Sequence, residues 1–267
     1  MQTLPIPSPS RGAAAVPAIV VTGFGKDYDD FTAVHGLTFS VDAGEIVGLV
    51  GANGAGKTTT LRALAGLLRP SRGAVCIAGH DLAKEPLPAK RALAYLPDTS
   101  HPYELLTVRE HLQFTALAYG VRDAAARLGP LLEELELSGK TDAIASTLSR
   151  GMTQKLALAC AFLRQPRAVV LDEPLTGLDP LGIRRIKESI RRRAAEGTAF
   201  LLSSHLLELV EAICDRVLII HRGRLLEYGT LAQIRDRASV TAETSLEDTF
   251  FAITERHAQR AAAPPQP

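Results

Sequence analysis

Short apolar runs recur along the chain at lengths suited to buried strands: Ile19–Thr22, Leu37–Val41, Glu45–Val50, Ala74–Ile77, Leu93–Leu96, Ala168–Asp172, Ala199–Ser203 and Arg216–Ile220. The later runs alternate with amphipathic stretches of helical period, the arrangement of a parallel sheet covered by helices. Between Leu105 and Leu163 the character changes. Leu112, Phe114, Leu117, Leu131, Leu132, Leu135, Leu156 and Leu163 recur at helical spacing there, and no run suits a strand. The pattern predicts an α/β core with an inserted helical lobe. No repeat of about 20–50 residues is visible, which argues against a solenoid.

One junction between a predicted strand and a predicted helix carries chemistry. Gly51, Ala52, Asn53, Gly54, Ala55, Gly56, Lys57 and Thr58 form a complete G-x-x-x-x-G-K-[ST] phosphate loop, with Thr59 opening the helical run behind it. Glycines let successive backbone N–H groups turn inward around phosphate oxygens, and the following helix adds its N-terminal partial charge. Lys57 is expected to reach the β- and γ-phosphates, and Thr58 to place its hydroxyl on Mg²⁺.

Two further segments fit a nucleotide site. The strand Ala168–Asp172 ends in the paired acids Asp172 and Glu173. Asp172 suits a metal held through water, and Glu173 suits a base that polarises an attacking water. The run from Leu148 to Lys155 contains Ser149, a good helix N-cap, and Gly151, whose bare backbone lets an anion approach. Taken alone, that run is equally an ordinary capped helix start.

In combination, residues from about Val20 to Phe251 resemble the ATP-binding subunits of ABC transporters. Leu148–Gln154 is similar to the family signature, with Arg150 and Met152 where Gly and Gln are commoner. Gly177, Leu178 and Asp179 resemble the D-loop, Ser203-Ser204-His205 the switch histidine, and Tyr28 the aromatic that stacks on adenine. The resemblance implies a P-loop NTPase with a RecA-like α/β core, an N-terminal antiparallel β subdomain and an inserted helical subdomain at about 98–165. It also implies two ATP molecules shared by a head-to-tail homodimer, the phosphate loop of one copy facing Ser149, Gly151 and Met152 of the other. On that pattern Glu173 positions the water, His205 contacts the γ-phosphate and Asp179 links the two sites. Residue-level alternatives stay open: Asp179 before Pro180 is also a natural N-cap, His205 could cap a helix, and Tyr28 could be a plain surface aromatic.

Asp98 stands where the family commonly has a glutamine. It supplies an oxygen for metal contact but carries charge and cannot donate. An acid here, and the segment Ser245–Phe251, resemble ATPases that drive export of drugs, antibiotics, lipids or polysaccharides.

Composition narrows the alternatives. A formal net charge of +1 over 267 residues argues against bulk attraction to nucleic acid, and the basic stretch Arg184–Arg193 is interleaved with Ile183, Ile186 and Ile190, as on the outer face of a packed helix. Cys76, Cys160 and Cys214 lie far apart in apolar stretches and read as buried, reduced thiols of a cytosolic protein. No run approaches the roughly 18 apolar residues of a membrane span, so a separate membrane permease is the expected partner. The expected organisation is a disordered lead at 1–17, an ATPase domain at 18–235, a helical extension at 236–256 and a disordered tail at 257–267. The expected cofactors are ATP and Mg²⁺, and the expected place is cytoplasmic, at the inner membrane face. The rival reading is a soluble ABC-type ATPase acting on ribosomes or DNA.

Overall fold

The structure is a computed structural model that describes residues 16–262. Its centre is a six-stranded sheet made of β3 (Ile46–Val50), β6 (Leu93–Leu96), β7 (Ala168–Asp172), β8 (Ala199–Ser203), β9 (Arg216–His221) and β10 (Arg224–Gly229), in the order β10-β9-β3-β8-β7-β6. All pairings are parallel except the β9–β10 hairpin. β3, β7 and β8 are buried at every position, which is why they read as unbroken apolar runs. Successive side chains leave opposite faces. Accordingly Val169 and Leu171 join one core cluster while Ala168 and Val170 join the other.

A second, antiparallel sheet consists of β1 (Ile19–Tyr28), β2 (Phe31–Val41), β4 (Arg72–Ile77) and β5 (His80–Asp81), in the order β2-β1-β4-β5. Its inner residues Ile19, Phe24, Leu37 and Ile77 share a core with Leu61 and Leu64 of α1 (Lys57–Leu64). Helix α2 (Pro86–Ala92) links the sheets. β1 runs six residues past the predicted Thr22, because register shifts around Gly23–Gly25 let it bend and continue to Tyr28.

Between β6 and β7 lie α3 (Val108–Tyr119), α4 (Ala124–Glu134) and α5 (Arg150–Leu163). Leu112, Leu131, Leu132, Leu135 and Leu156 meet in their core, as the helical spacing predicts, but Phe114 and Leu117 of the same stripe are exposed on the outer side of α3. A capping box of Thr107 and Glu110 starts α3, and Gly120 in the left-handed conformation ends it.

Behind the central sheet run α6 (Pro180–Ala195) and α7 (Leu207–Ile213), followed by α8 (Leu231–Ala238) and α9 (Leu246–Ala262). Helix α9 continues to Ala262, past residue 257 where sequence reading expects a disordered tail; residues 263–267 and 1–15 lie outside the described residues. The three cysteines are free and intermediate in exposure, less buried than the apolar stretches around them suggest. Burial still raises the Cys160 and Cys214 thiols, which disfavours the reactive thiolate.

Candidate nucleotide site

The carboxyl ends of β3, β7 and β8 converge on one edge of the central sheet, the usual place for ligands in such folds. From β3 the chain enters residues 51–56 and turns into α1, whose N-cap, Gly56, has φ +101°. A Cβ at Gly51 would lie 2.5 Å from the Ile220 carbonyl oxygen, so only glycine fits. The turn between β9 and β10 braces the loop from behind. Gly223 donates to the Ala55 carbonyl at 3.0 Å and accepts from the His35 amide at 2.8 Å. Both residues of that turn, Arg222 and Gly223, have positive φ, the geometry of a tight two-residue hairpin.

Lys57 folds back over its own loop. Its ammonium donates to the carbonyls of Gly51 at 2.6 Å and Ala52 at 3.3 Å. Burial lowers its pKa, opposed by the nearby negative charges of Glu173 and Asp172. Those charges place both acids within electrostatic reach of the ammonium. Ala52, Asn53, Gly54 and Thr58 are exposed, Thr59 is half-buried and Ala55 is buried.

Asp172 ends β7 with 4% of its surface exposed, and one carboxylate oxygen accepts from the Ser203 hydroxyl at 2.5 Å. Its other oxygen is free of protein partners among the described residues. Glu173 follows at φ +50°, a left-handed conformation unusual for glutamate, with its amide donating to the Ser203 carbonyl at 3.2 Å. His205, just beyond β8, brings Nδ1 to 2.8 Å from Glu173 Oε2. Sequence reading gave Ser203 no role. Its one signal is a small polar residue at the end of an otherwise apolar strand.

Asp98 is exposed on the loop after β6. The Tyr95 phenol is pushed up by burial and by the charge of Asp172, against the charge and hydrogen bond of Arg62, with Asp98 adding a further upward push. Asp98 and Asp172 thus both act on the same phenol. Tyr28 pairs with Phe31 across the Asp29–Asp30 turn, is 44% exposed, and has the Lys26 ammonium 5.0 Å from its ring centre.

The signature segment gathers elsewhere. Ser149 caps α5, its hydroxyl accepting from the Met152 amide at 3.3 Å. A Cβ at Gly151 would lie 2.9 Å from the Gly177 carbonyl oxygen, so the segment abuts the D-loop of the same chain. Buried Gln154 donates to the Pro174 carbonyl at 3.1 Å and ties α5 to the turn after Glu173. Asp179 caps α6 by accepting from the Gly182 amide at 3.1 Å. Within the described residues no hydrogen bond joins 149–152 to 51–58. One chain therefore brings Lys57, Asp172, Glu173 and His205 together, and leaves Ser149 exposed with no hydrogen bond to any of them.

A groove of about 310 Å³ opens beside the helical lobe, lined by Tyr95, Pro97, His101, His111, Tyr119 and Arg164. Among the described residues no helix is long and apolar enough to cross a membrane.

Comparison with known proteins identifies the family. The family described as ABC transporter matches residues 34–176. The chain is 36% identical over 224 residues to the ABC-type transporter ATP-binding protein EcsA of Bacillus subtilis (strain 168), covering 83% of this chain and 90% of that protein. It is 40% identical over 206 residues to the Nod factor export ATP-binding protein I of Burkholderia orbicola (strain AU 1054), covering 76% of this chain and 68% of that one. A solved ATP-binding subunit of an ABC transporter superposes with a TM-score of 0.86 at 39% identity, covering 89% of this chain and 99% of that structure. The chain belongs to the ABC transporter family, as an ATP-binding subunit with ATPase activity.

Proposed function

We propose that the chain works as one of two head-to-tail copies on the cytoplasmic face of a membrane permease, with ATP held between the phosphate loop of one copy and the signature segment of the other. The observation that carries this reading is that Ser149 stands exposed at the start of α5, with no hydrogen bond from residues 149–152 to the chain's own phosphate loop among the described residues. Its helix N-terminus offers partial positive charge. A second copy supplies the missing half.

In this reading Lys57 exchanges its loop carbonyls for phosphate oxygens, and Glu173 accepts a proton from the attacking water. His205 orients the Glu173 carboxylate and then meets the γ-phosphate. Tyr28 stacks on the base, and Asp179 reaches the partner copy. Mg²⁺ fits the donor set: Thr58, Asp172 and Asp98 offer only oxygen, as a hard cation prefers. No group of three or more His, Cys, Asp or Glu among the described residues could hold a metal. The ion would therefore depend on nucleotide and water oxygens as well, and it would neutralise phosphate charge. The groove near Tyr95 and His101 is the surface we assign to a short helix of the permease. Export is the direction named for the Nod factor relative, and we extend it to this chain.

The test is the molecular mass of Glu173→Gln by light scattering, with and without Mg-ATP. A doubling of mass with ATP is expected. A variant that binds ATP and stays a single chain would overturn the two-copy site.

A further inference from the structure

Glu136 occupies a position that local physics disfavours for glutamate. It follows α4 with φ +58°, where helices commonly end on glycine. The Leu137 amide donates to the Leu132 carbonyl at 2.7 Å, closing the helix end around it. A carboxylate there also meets the negative end of the helix dipole. Both effects oppose an acid, so the contacts of its side chain must offset them.

It touches two helices. One carboxylate oxygen lies 2.6 Å from the Lys155 ammonium on α5, and the other lies 2.9 Å from Nε of Arg185 on α6. The Lys155 side chain is only 12% exposed, and a Cβ at Gly182 would lie 3.5 Å from its last methylene and 2.6 Å from an Asp179 oxygen. The stem therefore runs past the start of α6 and the Asp179 cap. Lys155 itself lies one helical turn beyond Gly151. Through Lys155 and Arg185, a single carboxylate bridges the helix that carries the signature and the helix that begins at the D-loop.

We propose that Glu136 is a positioning residue for ATP hydrolysis, pinning α5 to α6 so that Ser149, Gly151 and Asp179 meet a partner copy's nucleotide as one rigid edge. This rests on the two-copy reading above. The Arg185 pair is open to solvent and contributes little to stability, and in Glu136→Gly the favoured backbone offsets loss of the better-shielded Lys155 pair, so the effect belongs to alignment rather than to folding.

Two variants test it. Glu136→Gly supplies the residue that the left-handed position favours, and Glu136→Gln keeps the size while removing the charge. Both are expected to keep the ATP affinity of the single chain, with Tm for Glu136→Gly unchanged or raised. Turnover at saturating ATP should fall about tenfold in both. Turnover within about twofold of the parent overturns the proposal, as does a loss matched by equal loss of ATP affinity or by a lowered Tm in both variants. Ser149→Ala separates the two levels. If it retains full turnover, the two-copy reading fails and takes the positioning role with it. If it is inactive while Glu136→Gly is fully active, only the role of Glu136 fails.

Discussion

His205 Nδ1 lies 2.8 Å from Glu173 Oε2, and the His205 amide points at the same oxygen from 3.3 Å. A carboxylate can only accept, so Nδ1 carries the imidazole proton and the Glu173 side chain is held from two directions. Glu173 is fixed at the other end by its left-handed backbone and by the hydrogen bond its amide donates to the Ser203 carbonyl. The expected base is thus oriented before any nucleotide arrives. Glu173→Gln is expected to lose about a hundredfold or more in turnover while ATP affinity stays near that of the parent. Steady-state hydrolysis beside a fluorescent-nucleotide titration checks both halves.

Removing the imidazole should free the carboxylate without removing it. His205→Ala is expected to lower kcat by about tenfold to a hundredfold with a smaller change in KM. A rise in KM at constant kcat would show that His205 serves binding rather than orientation.

Lys57 already sits against Gly51 and Ala52, with its ammonium partly stripped of water. Nucleotide phosphate is the natural replacement for those carbonyl contacts. Lys57→Ala is expected to weaken ATP binding by about 2–3 kcal/mol, the scale of a charge-assisted hydrogen bond at a partly buried site. Equilibrium dialysis with ATP measures it directly, and unchanged binding would remove Lys57 from the site.

Asp98 is an exposed carboxylate on the loop after β6 whose charge, like that of Asp172, acts on the Tyr95 phenol. Asp98→Ala is expected to raise the Mg²⁺ concentration needed for half-maximal turnover by about tenfold. The same titration with Asp98→Gln should recover part of the loss, since the amide oxygen remains. Identical Mg²⁺ curves for all three proteins would take Asp98 out of the metal's surroundings.

Glu134 is the acid of a second cluster, facing Arg192, Arg193 and Ser189 of α6 at 2.5–2.7 Å. Burial raises its carboxyl, but the Arg193 and Ser189 hydrogen bonds and the charges of Arg193 and Arg192 outweigh it, leaving it below the usual 4.5. A folded value below the unfolded one adds stability that is fully present above pH 4.5 and is lost as pH falls through the lowered value. Glu134→Gln should therefore be less stable at pH 7 by ~2 kcal/mol and should lose part of the parent's acid-induced destabilisation. Urea unfolding at neutral and acid pH reads the difference, and parallel curves would deny Glu134 this share.

What could be read from the residues was whatever local physics encodes. The glycines and Lys57 between an apolar strand and a helix, the acids ending β7, and Ser149 before the α5 stripe each announce their structure within a few positions. Strands buried on both faces were clear for the same reason. β10 escaped because it is a half-exposed edge strand without clean alternation; the Arg222–Gly223 hairpin turn was its one signal. The bend that carries β1 on to Tyr28 depends on register shifts against its hairpin partner β2 and against β4, which lies some distance on in sequence. Ser203 holds Asp172 only because β7 and β8 are neighbours, a fact of topology rather than of either segment.

The bracing behind the phosphate loop divides its positions by how much variation they can bear. A Cβ at Gly223 would overlap the Ala33 carbonyl, and one at Gly51 would press on Ile220, so neither position admits a second residue type. Asn53, exposed at the front, meets no such wall. A saturation library over this region should therefore sort by depth behind the loop rather than by distance along the chain. Gly223, 172 residues from Gly51 in sequence, should prove as intolerant as the loop's own first glycine.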